Sequence, residues 1–245
     1  MDPLTSVAAS GLRSRMESLD LLANNMANAQ TSGFKVDREF YNLYVGSEAT
    51  EPGAYDASQM PDIERNWTDF SQGTLRQTAG QLDFGISGDG FFAVNGPSGP
   101  LYTRNGSFQM NSKGQLVTAE GYPVRNANGK SIQLDPSQPV QLSSSGEIQQ
   151  AGESVGRFQL ASFTTPREFV KQGSSYFLFD GPKSAIKAGD GQIEQGKLEG
   201  SNSSESESAV RLVGIMRQFE MLQKAISIGA DMNKQAVEEV ARSGS

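Results

Sequence analysis

The sequence predicts a mixed α and β protein, with an antiparallel all-β central body between N-terminal and C-terminal helices that pair in a coiled-coil-like bundle. Three observations predict it. Apolar residues recur every three or four positions near both ends, Gly recurs in turn dipeptides between them, and 27 Gly with 10 Pro punctuate 245 residues. The length allows one large domain or two small ones, and 36% hydrophobic residues, including 13 Phe and 6 Tyr, suffice for a core.

The first helix is placed at residues 3 to 28. Thr5, Ala9, Leu12, Met16, Leu19, Ala23 and Met26 alternate spacings of four and three, and all but Thr5 are apolar. Pro3 suits a first turn, Gly11 weakens the interior, and Asn28-Ala29-Gln30-Thr31-Ser32-Gly33 stops the helix. Residues 36 to 80 read as a connector or extension, with Glu51 to Pro61 as a surface loop.

A β-rich domain follows over 81 to 204. Turn dipeptides at Asn95-Gly96, Asn105-Gly106, Lys113-Gly114, Glu120-Gly121, Asn128-Gly129 and Ser145-Gly146 separate short segments such as 91–94, 107–110, 115–118 and 175–179, which read as hairpins. The last helix is placed at 205 to 241. Leu212, Ile215, Phe219, Leu222, Ile226, Gly229, Asn233, Ala236 and Val240 keep the same alternation, Ser204 and Glu207 have the capping-box spacing, and Asn233 can set register. Residues 1–35 and 205–245 thus form one discontinuous helical domain. The stripes are short of apolar area against the entropy of ordering two long helices, so the ends are expected to be poorly ordered in a free monomer and to fold as subunits associate.

Composition excludes much else. With no Cys and no His there is no Ser-His-Asp or Cys-His group and no imidazole or thiolate zinc site. A net charge of -7 without a dense basic run argues against nucleic acid, and no apolar stretch is long enough to span a bilayer. Membrane insertion is not expected. Asp2, Arg13, Arg15 and Glu17 break any signal-peptide pattern, so a cleaved leader is not expected either. Gly129-Lys130-Ser131 lacks the upstream Gly of a phosphate loop, because Val124 stands there, and Gly85, Gly88 and Gly90 read as tight turns. Asp83 with Asp89, or Glu194 with Glu199, have a spacing common on surfaces. No catalytic, metal-binding or cofactor-binding residues are therefore expected. The reading from another class is a β-domain that binds or cleaves polysaccharide, with Trp67, Tyr102 and Tyr122 as stacking faces.

Three segments carry a family resemblance. Leu22-Ala23-Asn24-Asn25-Met26-Ala27-Asn28 running to Gly33-Phe34-Lys35 resembles the Asn-rich signature of bacterial flagellar rod and hook proteins. Asp69 to Thr78, Gly88-Asp89-Gly90-Phe91 and Tyr102 to Phe108 look like that family's central region. Gly196-Lys197-Leu198-Glu199-Gly200-Ser201-Asn202 and Arg217-Gln218-Phe219-Glu220-Met221 look like its C-terminal part. Gln30, Ser32 and the run Ser203 to Glu207 depart from the commoner pattern. Within the family the match is most similar to the proximal segment of the rod, with the distal rod second and a hook-type subunit as a further alternative.

The resemblance implies a structural rod subunit whose terminal helices form an inner layer, stack helically around a channel and transmit torque from motor to hook. It implies copies of itself and other rod proteins as partners, the flagellar type III apparatus as exporter, and a periplasmic rod as location. Assembly would then fall to Leu12, Met16, Leu19, Ala23, Met26, Leu212, Ile215, Phe219, Leu222 and Ile226. The run Asn24, Asn25 and Asn28 would join the first helix to the body through backbone hydrogen bonds.

Overall fold

The structure, a computed structural model, describes residues 3–44, 60–143, 146–163 and 168–243. The described chain divides into two compact units. One holds residues 1–27, 37–68 and 205–245, and the other holds 28–36 and 69–204.

In the first unit, α1 (Pro3–Ala27), β1 (Asp37–Tyr44), β2 (Met60–Thr68) and α2 (Glu205–Ser243) pack together. Pro3 opens α1, which ends just before the Asn28 to Gly33 run, and α2 follows Ser204 with Glu205 and Glu207 in its first turn and runs to Ser243, two residues past the expected end, with Arg242 in its last turn. The expected connector contains an antiparallel ribbon. Asp37 stands opposite Thr68 and Tyr44 opposite Met60, with a bulge at Phe40/Tyr41. A two-stranded ribbon is marginal by itself in water, and here α1 packs against β2. Residues 51–59 of the expected surface loop lie outside the described residues.

The face of α1 that the fold buries differs from the expected stripe. Gly11, Ser14, Ser18, Leu22 and Asn25 are buried, whereas Met16 is 57% exposed and Ala9, Ala23 and Met26 are exposed too. The reason is size. Small residues let helices approach closely, and a Cβ at Gly11 would sit 3.4 Å from both methyls of Leu222 on α2.

The second unit begins with β3 (Leu75–Gln77), β4 (Phe84–Ser87), β5 (Phe91–Gly96), β6 (Gly99–Thr103), β7 (Gln109–Met110) and β8 (Leu116–Val117). It continues through β9 (Gln141–Leu142), β10 (Glu147–Gln150), β11 (Glu153–Arg157), β12 (Leu160–Phe163), β13 (Phe169–Gln172) and β14 (Tyr176–Phe179). It ends with β15 (Ile186–Ala188), β16 (Gln192–Gln195) and β17 (Lys197–Glu199). Every described strand pair is antiparallel. The main sheet runs β13-β14-β6-β5-β12-β15, while β16 pairs with β4 and β17 with β3.

Side chains alternate across that main sheet and so build two cores. Phe92, Val94, Leu101 and Tyr176 point to one side, where Phe84, Ile86, Phe108, Ile148 and Phe158 join them. Phe91, Ala93, Tyr102 and Phe177 point to the other, where Phe70, Phe163, Phe169 and Phe179 pack edge to face. No described helix is long and apolar enough to cross a membrane.

Candidate assembly site

On α2 the expected stripe is the one turned inward. Ile215 and Gly229 are buried, and Leu212, Phe219, Leu222 and Ile226 are half-buried. On α1, Leu12 and Leu19 are half-buried beside the exposed Met16, Ala23 and Met26. Asn233 is exposed, and the side chains of Thr5, Ala236 and Val240 lie outside the described residues. A second set on α2 is large, apolar and solvent-facing. Val210 is 74% exposed, Met221 and Met232 64% each, and Val213, Met216 and Ile228 are exposed with them. A solitary surface methionine is ordinary, whereas several large apolar groups exposed along one helix are not.

The Asn-rich end of α1 has a geometric use. Asn25 Nδ2 donates to the Asp37 carbonyl at 2.8 Å while Asn25 Oδ1 accepts the Asp37 N–H at 3.1 Å, so a single amide fixes the start of β1. Thr68 Oγ1 then donates to Asp37 Oδ1 at 2.7 Å. Asn24 is exposed. In the second unit Asn28 closes the turn, its carbonyl accepting the Thr31 N–H at 3.0 Å and its Oδ1 the Thr31 hydroxyl at 3.2 Å. Gly33 has φ of +70°, and a Cβ there would collide with the backbone nitrogen of Asn105. Its N–H donates to the Glu199 carbonyl at 2.8 Å.

Around Glu199 the second unit buries a charge cluster. Lys35 Nζ donates to Glu199 Oε1 at 2.5 Å and to the Ser71 carbonyl at 2.6 Å. Arg104 Nη1 donates to Glu199 Oε2 at 3.0 Å, its Nη2 to the Gly88 carbonyl at 2.9 Å, and the Gly73 N–H to Glu199 Oε1 at 2.9 Å. Arg104 also lies 5.0 Å from the Phe91 ring centroid. Burial pushes the Lys35 ammonium below its usual range, and Glu199 pulls the other way. Two cations and one carboxylate share this dry space, so the Arg104 charge reinforces the lowering and the direction holds.

Asn202 completes the arrangement. Its Nδ2 donates to the carbonyls of Asp69 at 2.7 Å and Ser71 at 3.2 Å, and its Oδ1 accepts the Val36 N–H at 2.9 Å. Phe34 is fully buried, and Lys171 Nζ sits 4.1 Å from its ring centroid while donating to the Lys35 carbonyl at 2.9 Å. Ser201 Oγ accepts the Ser203 N–H, and Leu198 stands opposite Arg76 in the β17-β3 pair. Gly90 lies against Gly189, and Asp89 accepts the Ser162 hydroxyl at 3.3 Å and, through its carbonyl, the Gly191 N–H at 2.8 Å.

Lys35, Arg104 and the Asn202 clamp were not singled out from sequence as a charge-and-amide cluster. A usable signal was present: each charge has only apolar, Gly or small polar residues immediately beside it, in Phe34-Lys35-Val36, Thr103-Arg104-Asn105 and Leu198-Glu199-Gly200. The acids paired by spacing are not brought together. Asp83 accepts the Thr78 hydroxyl at 2.7 Å, and Glu194 meets Lys197 at 2.5 Å. Of the aromatic candidates, Tyr102 is buried edge-on to Phe163 at 4.8 Å, Tyr122 packs on Tyr176 at 5.5 Å, and Trp67 lies on β2 of the other unit. Tyr102 and Tyr122 belong to different cores and make no common stacking platform.

Both terminal helices lie in one unit, with large apolar residues of α2 exposed, and the β unit is tied internally through Lys35, Glu199 and Asn202. The family model described as the flagellar hook protein FlgE/F/G D1 domain matches residues 85–152, and the one described as the flagellar basal body rod FlgEFG protein C-terminal matches 194–239. The flagellar basal-body rod protein FlgF of Caulobacter vibrioides is 33% identical over 250 residues, covering 99% of each chain. FlgF of Mesorhizobium japonicum is 32% identical over 216 residues, covering 87% of this chain and 88% of the relative. FlgG of Borreliella burgdorferi is 31% identical over 252 residues, covering 92% and 94%. The chain belongs to the family of flagellar hook and basal-body rod proteins, and within it is most like the FlgF members.

Proposed function

We infer that this chain is a structural subunit of the bacterial flagellar basal-body rod, polymerising through its terminal helices so that torque passes from motor to hook. The observation that carries the reading is α2 itself. One face packs inward, while Val210, Met221, Ile228 and Met232 remain in solvent along the other, a cost that neighbouring subunits would remove. Copies of this chain and other rod proteins are the partners. Assembly is periplasmic, after export through the flagellar type III apparatus. Leu12, Met16, Leu19, Ala23 and Met26 serve the outer contacts of α1, and Leu212, Ile215, Phe219, Leu222 and Ile226 hold α2 in the geometry those contacts need. The role is mechanical, not enzymatic.

Electron microscopy of basal bodies isolated with and without the gene tests the assignment. Loss of the rod beyond its innermost segment, with motility restored by the intact gene, is expected. Complete rods in the deletion would overturn it.

A further inference from the structure

The first strands of the β unit are closed by its last residues. Among the described residues, β3 and β4 have only β17 and β16 as strand partners, so that Gln77 stands opposite Lys197 and Phe84 opposite Gln195. Between the two pairs the backbone ties continue. The Thr78 N–H donates to the Gly196 carbonyl at 2.7 Å, the Gly196 N–H to the Asp83 carbonyl at 2.8 Å and the Gly200 N–H to the Thr74 carbonyl at 2.9 Å. Gln195 Nε2 donates to the carbonyls of Gln81 and Val140 at 2.8 Å each, and its Oε1 accepts the Leu142 N–H at 3.0 Å. Glu199 then holds Lys35 and Gly73, 164 and 126 positions away, and Asn202 holds Val36 at 166.

Removing residues 192–202 would leave β3 and β4 without strand partners, and Lys35 and Arg104 without their ion-pair carboxylate, a state that costs too much to stay buried. Elsewhere the unit closes locally. β5 with β6, β10 with β11 and β13 with β14 pair as neighbours in sequence, and short loops cost less entropy to close than long ones.

We propose that residues 192–202 are a strap that closes last and decides when the β unit becomes stable. The local hairpins form first, and residues 33–36 and 69–87 gain their order only when the strap docks. Because a chain is synthesised from its N-terminus, the unit stays open until Asn202 has been made. On the rod-subunit reading this keeps the chain pliant before export, but the order of closure does not depend on that reading.

Pulse-labelled amide exchange during refolding of the full chain tests the order. The Gly33, Gly73, Thr78 and Gly200 N–H groups, all bonded to the strap or within it, should gain protection about tenfold later than those of Asn95, Leu116 and Val124, which bond to Pro123, Ile132 and Leu116. In the folded full-length chain, Glu199→Gln should then lower protection of the first group at least about tenfold and leave the second group unchanged. Simultaneous protection of the two groups in the native chain, or earlier protection of the strap group, would overturn the proposal without relying on any variant. Equal loss in both groups of the variant, or no loss in the strap group, would overturn it as well. The rod-subunit reading fails separately, if basal bodies lacking this chain keep their rods.

Discussion

Lys35 Nζ and Glu199 Oε1 lie 2.5 Å apart with neither side chain exposed, although 164 positions separate them in the chain. Glu199 is the only carboxylate that the two buried cations, Lys35 and Arg104, meet as an ion pair among the described residues. Replacing Glu199 by Ala would leave both without an ion-pair partner among the described residues. The expected loss of stability is about 3–5 kcal/mol, read from urea denaturation midpoints of the purified chain. Because uncompensated buried charge is the cause, K35M/E199M, which leaves only Arg104 unpaired, should be less damaged than E199A, which leaves both cations unpaired. Equal damage in both would show that packing, not charge, sets the cost.

Gly33→Ala should cost more than an ordinary Gly→Ala change. Its φ of +70° disfavours any Cβ, and that Cβ would meet backbone at Arg104 and Asn105, which cannot swing away as a flexible side chain would. A loss of about 2 kcal/mol or more is expected in the same denaturation assay, against about 1 kcal/mol gained or lost at a compatible glycine.

Leu222→Asp places a carboxylate against Gly11 of α1, whose Cβ position lies 3.4 Å from the Leu222 methyls. The variant should fail to enter basal bodies, as judged by immunoblot of isolated structures, while the calorimetric melting of the β unit changes little. A large fall in that melting would assign Leu222 to the core of the whole molecule instead.

Alkaline stability has a worked sign. Burial, followed by the hydrogen bond to Glu120, raises the Tyr176 phenol above its ordinary 10.0, and burial raises Tyr102 likewise. The folded chain therefore holds these protons more tightly than the unfolded one. Their stabilisation is complete below pH 10 and declines as pH rises beyond it. Lys35 acts oppositely: its lowered value means that stability increases with pH up to its ordinary 10.5. Comparing Tyr176→Phe with the native chain isolates one contribution. The stability difference between them should shrink above about pH 10 in urea titrations.

The helices and hairpins were legible because their signals are local. Pro3, the Asn28 to Gly33 run and the acids after Ser204 mark helix ends within a few residues, and Asn95-Gly96 ends β5 directly before the Pro97-Ser98 turn of the β5-β6 hairpin. The β1-β2 ribbon was not legible, since Asp37-Arg38-Glu39-Phe40-Tyr41-Asn42-Leu43-Tyr44 has no clean period of two and its pairing skips a residue at the bulge. Gly11, Ser14 and Ser18 form the packed face of α1 through smallness, which hydrophobic periodicity does not register. The Lys35–Glu199–Arg104 cluster joins three distant segments, and periodicity carries no information about that kind of proximity.

Amide hydrogen exchange on the dilute monomer and on the assembled rod tests most directly whether the terminal helices draw their stability from neighbouring subunits. Weak protection across Leu212 to Ile226 in the monomer, becoming strong in the rod, is the predicted result. Strong protection of that segment at high dilution would contradict it.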